Sequence, residues 1–132
     1  IDVEVTSFSN HPDAFLVLEC KRLNVQKESG FASCAGEYVG SGGMGCFTSG
    51  QYQSGGNVGA MIAYVMTRSV DEAITSIDEQ LEQHGESLSM VTPYTLQEST
   101  LIPNQPLVKQ TAHNLSEGRL DIVHVFLKFS EN

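Results

Sequence analysis

Glu19 and Lys21 close the apolar run Phe15-Leu16-Val17-Leu18 and flank Cys20. A strand alternates its side chains between two faces, so Glu19 and Lys21 share one face while Leu18 and Cys20 take the other. A carboxylate and an ammonium at the end of so apolar a strand are costly to bury unless they meet partners or a metal ion. Asp2 is the nearest candidate partner, in the alternating segment Ile1-Asp2-Val3-Glu4-Val5. Two carboxylates can hold one divalent cation between them through oxygen ligands at about 2.0 to 2.6 Å. Lys21 would then stand beside the ion.

For that chemistry the chain must bring two distant acids together, and its local patterns say how. Residues 1 to 7 alternate apolar and polar, the signature of a half-buried strand. Ser9-Asn10-His11-Pro12-Asp13 is a turn cluster, with the proline holding the residue before it extended. An antiparallel hairpin centred near Asn10 and His11 pairs positions whose numbers sum to about 21. Asp2 then faces Glu19, and Glu4 faces Val17. Directly opposed side chains stand roughly 5 Å apart at Cβ. A slip of one residue would turn Asp2 to the wrong face.

The 132 residues are expected to form one domain, 1–132, large enough to bury a core without disulfides. No run of 18 apolar residues and no signal-peptide pattern is present, so neither a membrane partner nor export is expected. Three irregularly spaced cysteines, Cys20, Cys34 and Cys46, fit a reducing, cytoplasmic setting better than a disulfide framework or a zinc site. The net charge of -9 and the total of seven Lys and Arg argue against a tight grip on nucleic acid by this chain alone. The chain opens at Ile1, already inside the alternating segment, so a further segment, a helix, is expected ahead of it.

The remaining elements follow from periodicity and punctuation. Residues 22–33 read as a polar, mobile connection. Residues 34–59 hold nine glycines, and Tyr38, Met44, Phe47 and Tyr52 line up only as a weak helix over about 38–49. The glycine pattern nearly imitates a dinucleotide-binding fingerprint, but its order relative to strand and helix is wrong. Residues 60–66 are continuously apolar and predict a central strand. Ser69 with Glu72 forms a capping box for a helix over 70–83, ended by Gly85. Ala73, Ile74, Ile77 and Leu81 form its inward stripe, and Asp71, Glu72, Asp78, Glu79 and Glu82 its wet face. Short strands are expected over 87–91 and 94–99, a loop over 101–107, and a long last strand over 120–129. The order predicts an α/β domain on a mixed sheet.

Asp2, Glu19 and Lys21, in the wording Leu18-Glu19-Cys20-Lys21-Arg22-Leu23, resemble the D…(E/D)xK signature of the restriction-endonuclease-like superfamily, the PD-(D/E)XK nucleases. The stretch from Tyr38 through Met44, Phe47, Tyr52 and Met61 to Tyr64-Val65, with His113 and the strand His124-Val125-Phe126-Leu127, is similar to an uncharacterised, defence-associated bacterial branch of that group. The resemblance implies a mixed central sheet flanked by helices and metal-dependent phosphodiester hydrolysis, on DNA in preference to RNA. It implies that Asp2 and Glu19 bind Mg²⁺, or Mn²⁺ in its place, with the Cys20 backbone carbonyl as a further ligand. Lys21 would orient or activate the attacking water and balance charge on the phosphate. Gln51, Tyr52 and His113 are the implied substrate contacts.

The chain also departs from the pattern. Family members carry an acidic residue on a helix before the first strand, which is missing here. Asp13 imitates the literal "PD" and is an alternative metal ligand, although six residues before Glu19 is a short spacing. His113 and His124 lack metal-ligand spacing and read as ordinary sheet or loop residues, Cys20 as a packed thiol. Few cations surround the glycine-rich segment. These departures keep a second expectation open: an inactive nuclease-like fold serving as a protein-binding or assembly module, with partner proteins or copies of itself.

Overall fold

A computed structural model describes residues 2–6, 15–49 and 57–129, with side chains from residue 17 onward among them. Its main sheet has six strands in the order β1-β2-β5-β8-β7-β6: β1 (Asp2–Thr6), β2 (Phe15–Leu23), β5 (Val58–Val65), β8 (Gly118–Lys128), β7 (Val108–Leu115) and the two-residue β6 (Gln97–Glu98). Strands β2, β5 and β8 run parallel, and β1, β7 and β6 pair antiparallel with their neighbours. Both parallel connections carry helices, as parallel pairing requires. Between β2 and β5 lie the hairpin β3 (Val25–Lys27) and β4 (Gly30–Ala32), then α1 (Ala35–Val39) and α2 (Met44–Thr48); α3 (Val70–His84) follows β5. The result is the mixed-sheet α/β class that the order of elements predicts.

Alternation divides the sheet cleanly. Val17 and Leu23 of β2, Met61, Ala63 and Val65 of β5, and Leu120, Ile122 and Phe126 of β8 point into one core. The helices close that core with Tyr38, Val39, Met44, Phe47, Ala73, Ile77 and Leu81. Leu18, Cys20, Ile62, Tyr64, Val125 and Leu127 occupy the opposite face and are half-buried to exposed.

Helix α3 forms as its sequence dictates. Ser69 stays extended and its hydroxyl accepts from the Glu72 N–H at 3.1 Å. Ala73, Ile77 and Leu81 are buried and Ile74 packs partly against them. On the wetter side, Asp78 accepts from the Leu96 N–H at 2.7 Å, which ties the helix to the segment before β6. Partial burial pushes the Asp78 carboxyl up, against the opposing pull of that hydrogen bond and of Lys109.

Three expectations need correction. Residues 22–33 are not a loose connection: Arg22 and Leu23 complete β2, and Val25 to Ala32 form the β3–β4 hairpin. Asn24 takes a positive φ of 52° and Gly30 one of 126°, and the Arg68 guanidinium lies 3.5 Å over the Phe31 ring. The weak helix over 38–49 is two single-turn helices. They separate at Gly40 to Gly43 because the chain doubles back there, so closely that a Cβ on Gly43 would lie 2.0 Å from the Tyr38 carbonyl oxygen. Residues 87–91 hold only an isolated bridge, from Met90 to His113, and β7 is an additional strand that no periodicity announced.

Candidate functional site

The β1–β2 register is the one the turn predicts: Asp2 opposite Glu19, Glu4 opposite Val17. The Asp2 side chain, Asp13, Gln51 and Tyr52 lie outside the described residues. Glu19 and Lys21 share the helix-covered face, with the Lys21 Nζ 3.2 Å from Glu19 Oε1. The carboxylate is almost completely buried, its side chain 3% exposed, whereas the lysine keeps 28%. The long lysine stem thus carries its ammonium from a buried acid to the surface, beneath the α1–α2 turn at Gly42. A buried carboxylate in such a pair recovers part of its desolvation cost by Coulomb attraction.

Strand β1 ends its pairing at Glu19, so residues 20–23 of β2 have only β5 as a strand partner among the described residues. A cleft of about 630 Å³ opens along that edge. Lys21 enters it from the helix side, Cys20, Arg22 and Tyr64 from the other face, and Val25 and Lys27 from the hairpin. Cys20 is half-buried at the wall of this cleft and is a free thiol. Among the described residues, no group of three or more His, Cys, Asp or Glu side chains converges as a metal site. What the site offers a hard cation is the Glu19 carboxylate, with the Asp2 backbone directly across from it.

His113 is not brought there. It lies on β7, three strands from β2, or about 14 Å across the sheet at roughly 4.8 Å per strand. It has no solvent-exposed surface and belongs to a buried chain of hydrogen bonds. Tyr38 Oη lies 2.7 Å from His124 Nδ1, His124 Nε2 lies 2.9 Å from Thr111 Oγ1, Thr111 Oγ1 lies 2.9 Å from His113 Nε2, and His113 Nδ1 lies 2.8 Å from the Leu88 carbonyl. One end fixes every proton. The Leu88 oxygen can only accept, so His113 Nδ1 carries a hydrogen. Burial lowers the pKa of both histidines, His124 to about 3, so each ring is neutral and has one acceptor. His113 Nε2 therefore accepts from the Thr111 hydroxyl, Thr111 accepts from His124 Nε2, and His124 Nδ1 accepts from Tyr38. Burial pushes the Tyr38 hydroxyl strongly up, which keeps it a donor.

Sequence reasoning missed this network. Its available signal was Thr111-x-His113, two polar residues at same-face spacing, and a histidine inside the apolar strand 120–127. Comparison of the chain with protein-family models, curated proteins and solved structures finds no match.

Proposed function

We propose that the chain is a metal-dependent phosphodiester hydrolase of the restriction-endonuclease-like type, acting on nucleic acid, DNA in preference to RNA. The observation that carries this reading is the alignment of Asp2 with Glu19 across β1 and β2, with the Lys21 ammonium 3.2 Å from the Glu19 carboxylate. The donor chemistry suits a hard cation such as Mg²⁺, or Mn²⁺ in its place, because carboxylate and carbonyl oxygens are the ligands such ions prefer. Asp2, Glu19 and the Cys20 carbonyl are the residues that would hold it. When bound, it would supply Lewis acidity and lower the pKa of a coordinated water. Glu19 lies at the end of the β1–β2 register and its side chain is only 3% exposed. Lys21 reaches solvent and can place its ammonium against a phosphate oxygen or a water in the cleft.

The test is a metal titration followed by thermal unfolding. An ion that binds only the folded state stabilises it by about 2.7 kcal/mol at a hundredfold excess over its Kd, several degrees for a domain of this size. Mg²⁺ or Mn²⁺ is expected to raise Tm, and Asp2→Asn or Glu19→Gln to abolish the rise. Lys21→Ala is expected to keep metal binding while losing cleavage of plasmid DNA with Mn²⁺. Absence of both the Tm shift and cleavage in the unsubstituted protein would overturn the hydrolase reading.

A second reading, a nuclease-like fold without catalysis that serves as a protein-binding or assembly module, is favoured by one feature. Glu19 already has its charge matched by Lys21 within the chain. In that case Glu19→Gln with Lys21→Met would leave binding of the protein partner intact.

A further inference from the structure

The chain carries a net charge of -9, yet its few cations are concentrated. Of seven Lys and Arg, five gather where the parallel strands end: Lys21 and Arg22 in the last turn of pairing of β2, Lys27 in β3, Arg68 just beyond β5, and Lys128 closing β8. The ends themselves are held side by side, since Met66 N–H donates to the Leu23 carbonyl at 2.9 Å and Phe129 N–H to the Val65 carbonyl at 2.9 Å. Three of the five cations, Lys21, Arg22 and Lys27, line the cleft at this edge, where Glu37 is the one carboxylate among the described lining residues and Lys21 also pairs with Glu19 at 3.2 Å. Carboxyl ends of parallel strands are where open α/β sheets receive ligands. The rest of the surface repels an anion and so narrows its approach to this place.

The cleft also has flat apolar walls. Tyr64 and Phe129 line it and are 38% and 44% exposed, unusual for aromatic side chains at a basic edge. Tyr64 stands beside Arg22 in the β2–β5 register, so ring and guanidinium share one surface. A volume of about 630 Å³ suits a small ligand or a short piece of a chain and lacks the span of a double helix. Cations that follow a phosphate backbone, interleaved with exposed rings on which bases stack, are the equipment of single-strand binding.

We infer that this cleft binds a short single-stranded segment of nucleic acid, its bases against Tyr64 and Phe129 and its phosphates on Arg22, Lys27 and Lys21. The inference deepens the nucleic-acid reading and rests on it, but it makes a claim about binding that needs no catalysis. It also explains how an acidic chain could hold a polyanion: through a few focused charges and stacking, not a broad basic face.

The experiment is fluorescence anisotropy in EDTA, so that no metal-dependent cleavage intervenes, with labelled oligothymidylate, the corresponding duplex, and polyphosphate as competitor. The unsubstituted protein is expected to prefer the single strand to the duplex. Tyr64→Ala and Phe129→Ala should each weaken that binding about tenfold or more, while Tyr64→Phe keeps it. Lys27→Gln should lower the salt dependence by about 0.7 in log–log slope. All these positions but Lys21 lie outside the proposed hydrolytic machinery, and circular dichroism checks that the variants fold. Duplex bound as tightly as single strand, equal competition by polyphosphate with silent aromatic variants, or no binding at all would each overturn the inference. Intact single-strand binding in a protein that never cleaves would uphold the cleft and remove the hydrolase.

Discussion

At the scale of single residues, the chain places polar chemistry in two very different settings. The Glu19–Lys21 pair sits where a strand leaves the core, so one charge is buried and the other reaches solvent. The Tyr38–His124–Thr111–His113 chain sits inside, where each donor has one acceptor and nothing is left over. Such a fully satisfied network is stable only as a unit. Tyr38→Phe removes the hydroxyl and strands the buried His124 Nδ1, which should cost about 1–3 kcal/mol. Thr111→Val keeps the shape but strands both rings at once, so its loss should exceed that of Tyr38→Phe. Urea unfolding of the two variants measures the order. Wild-type stability in Thr111→Val would show that the proton sequence assigned to the chain is wrong.

At the scale of elements, the close approach between α2 and β5 is a sharp steric demand. A Cβ on Gly59 would lie 2.6 Å from the Phe47 ring. Gly59→Ala should therefore push α2 outward and cost about 1–3 kcal/mol by overpacking, and Phe47→Leu in the same chain should recover part of it. Thermal unfolding of the single and double variants reads both effects. Elements with simple periodicity were legible in the sequence: α3 with its capping box, the apolar β5, and the β1–β2 register that sets Asp2 against Glu19. Elements built by non-local compensation were not. Strand β7 puts Thr111 and His113 on the core side, and partners on β8, on α1 and at Leu88 make that tolerable. The β3–β4 hairpin looks like a polar connection because its apolar anchors are few, and Phe31 is covered by Arg68 from a distant segment. Of the site, the acid–x–lysine spacing could be read directly. The cleft could not, because it forms from strand ends far apart in sequence.

At the scale of the whole molecule, the buried histidines make stability depend on pH in a definite direction. In the unfolded chain a histidine gains its proton near pH 6.5. In the folded protein burial lowers that pKa for both, to about 3 for His124, where His113 adds to the lowering, while the hydrogen bond to Leu88 and then Asp121 pull His113 partly back. Above about pH 6.5 neither state is protonated and the network contributes fully. Below it the unfolded chain binds protons that the folded one refuses, so stability falls as pH falls, by up to about 1.4 kcal/mol per pH unit for each such histidine. The loss continues until the folded rings themselves titrate. Asp78 acts in the opposite sense: its raised pKa makes the folded state the better proton acceptor in the carboxylate range, which softens the decline there. Urea midpoints should therefore drop steadily from about pH 7 toward pH 4. Ring carbon shifts measured by NMR should meanwhile show His124 still neutral at about pH 5 in the folded protein. A His124 ring that gains its proton near pH 6.5 without unfolding would mean that water reaches the network, and with it the assigned direction of every proton in the chain from Tyr38 to Leu88 would fall.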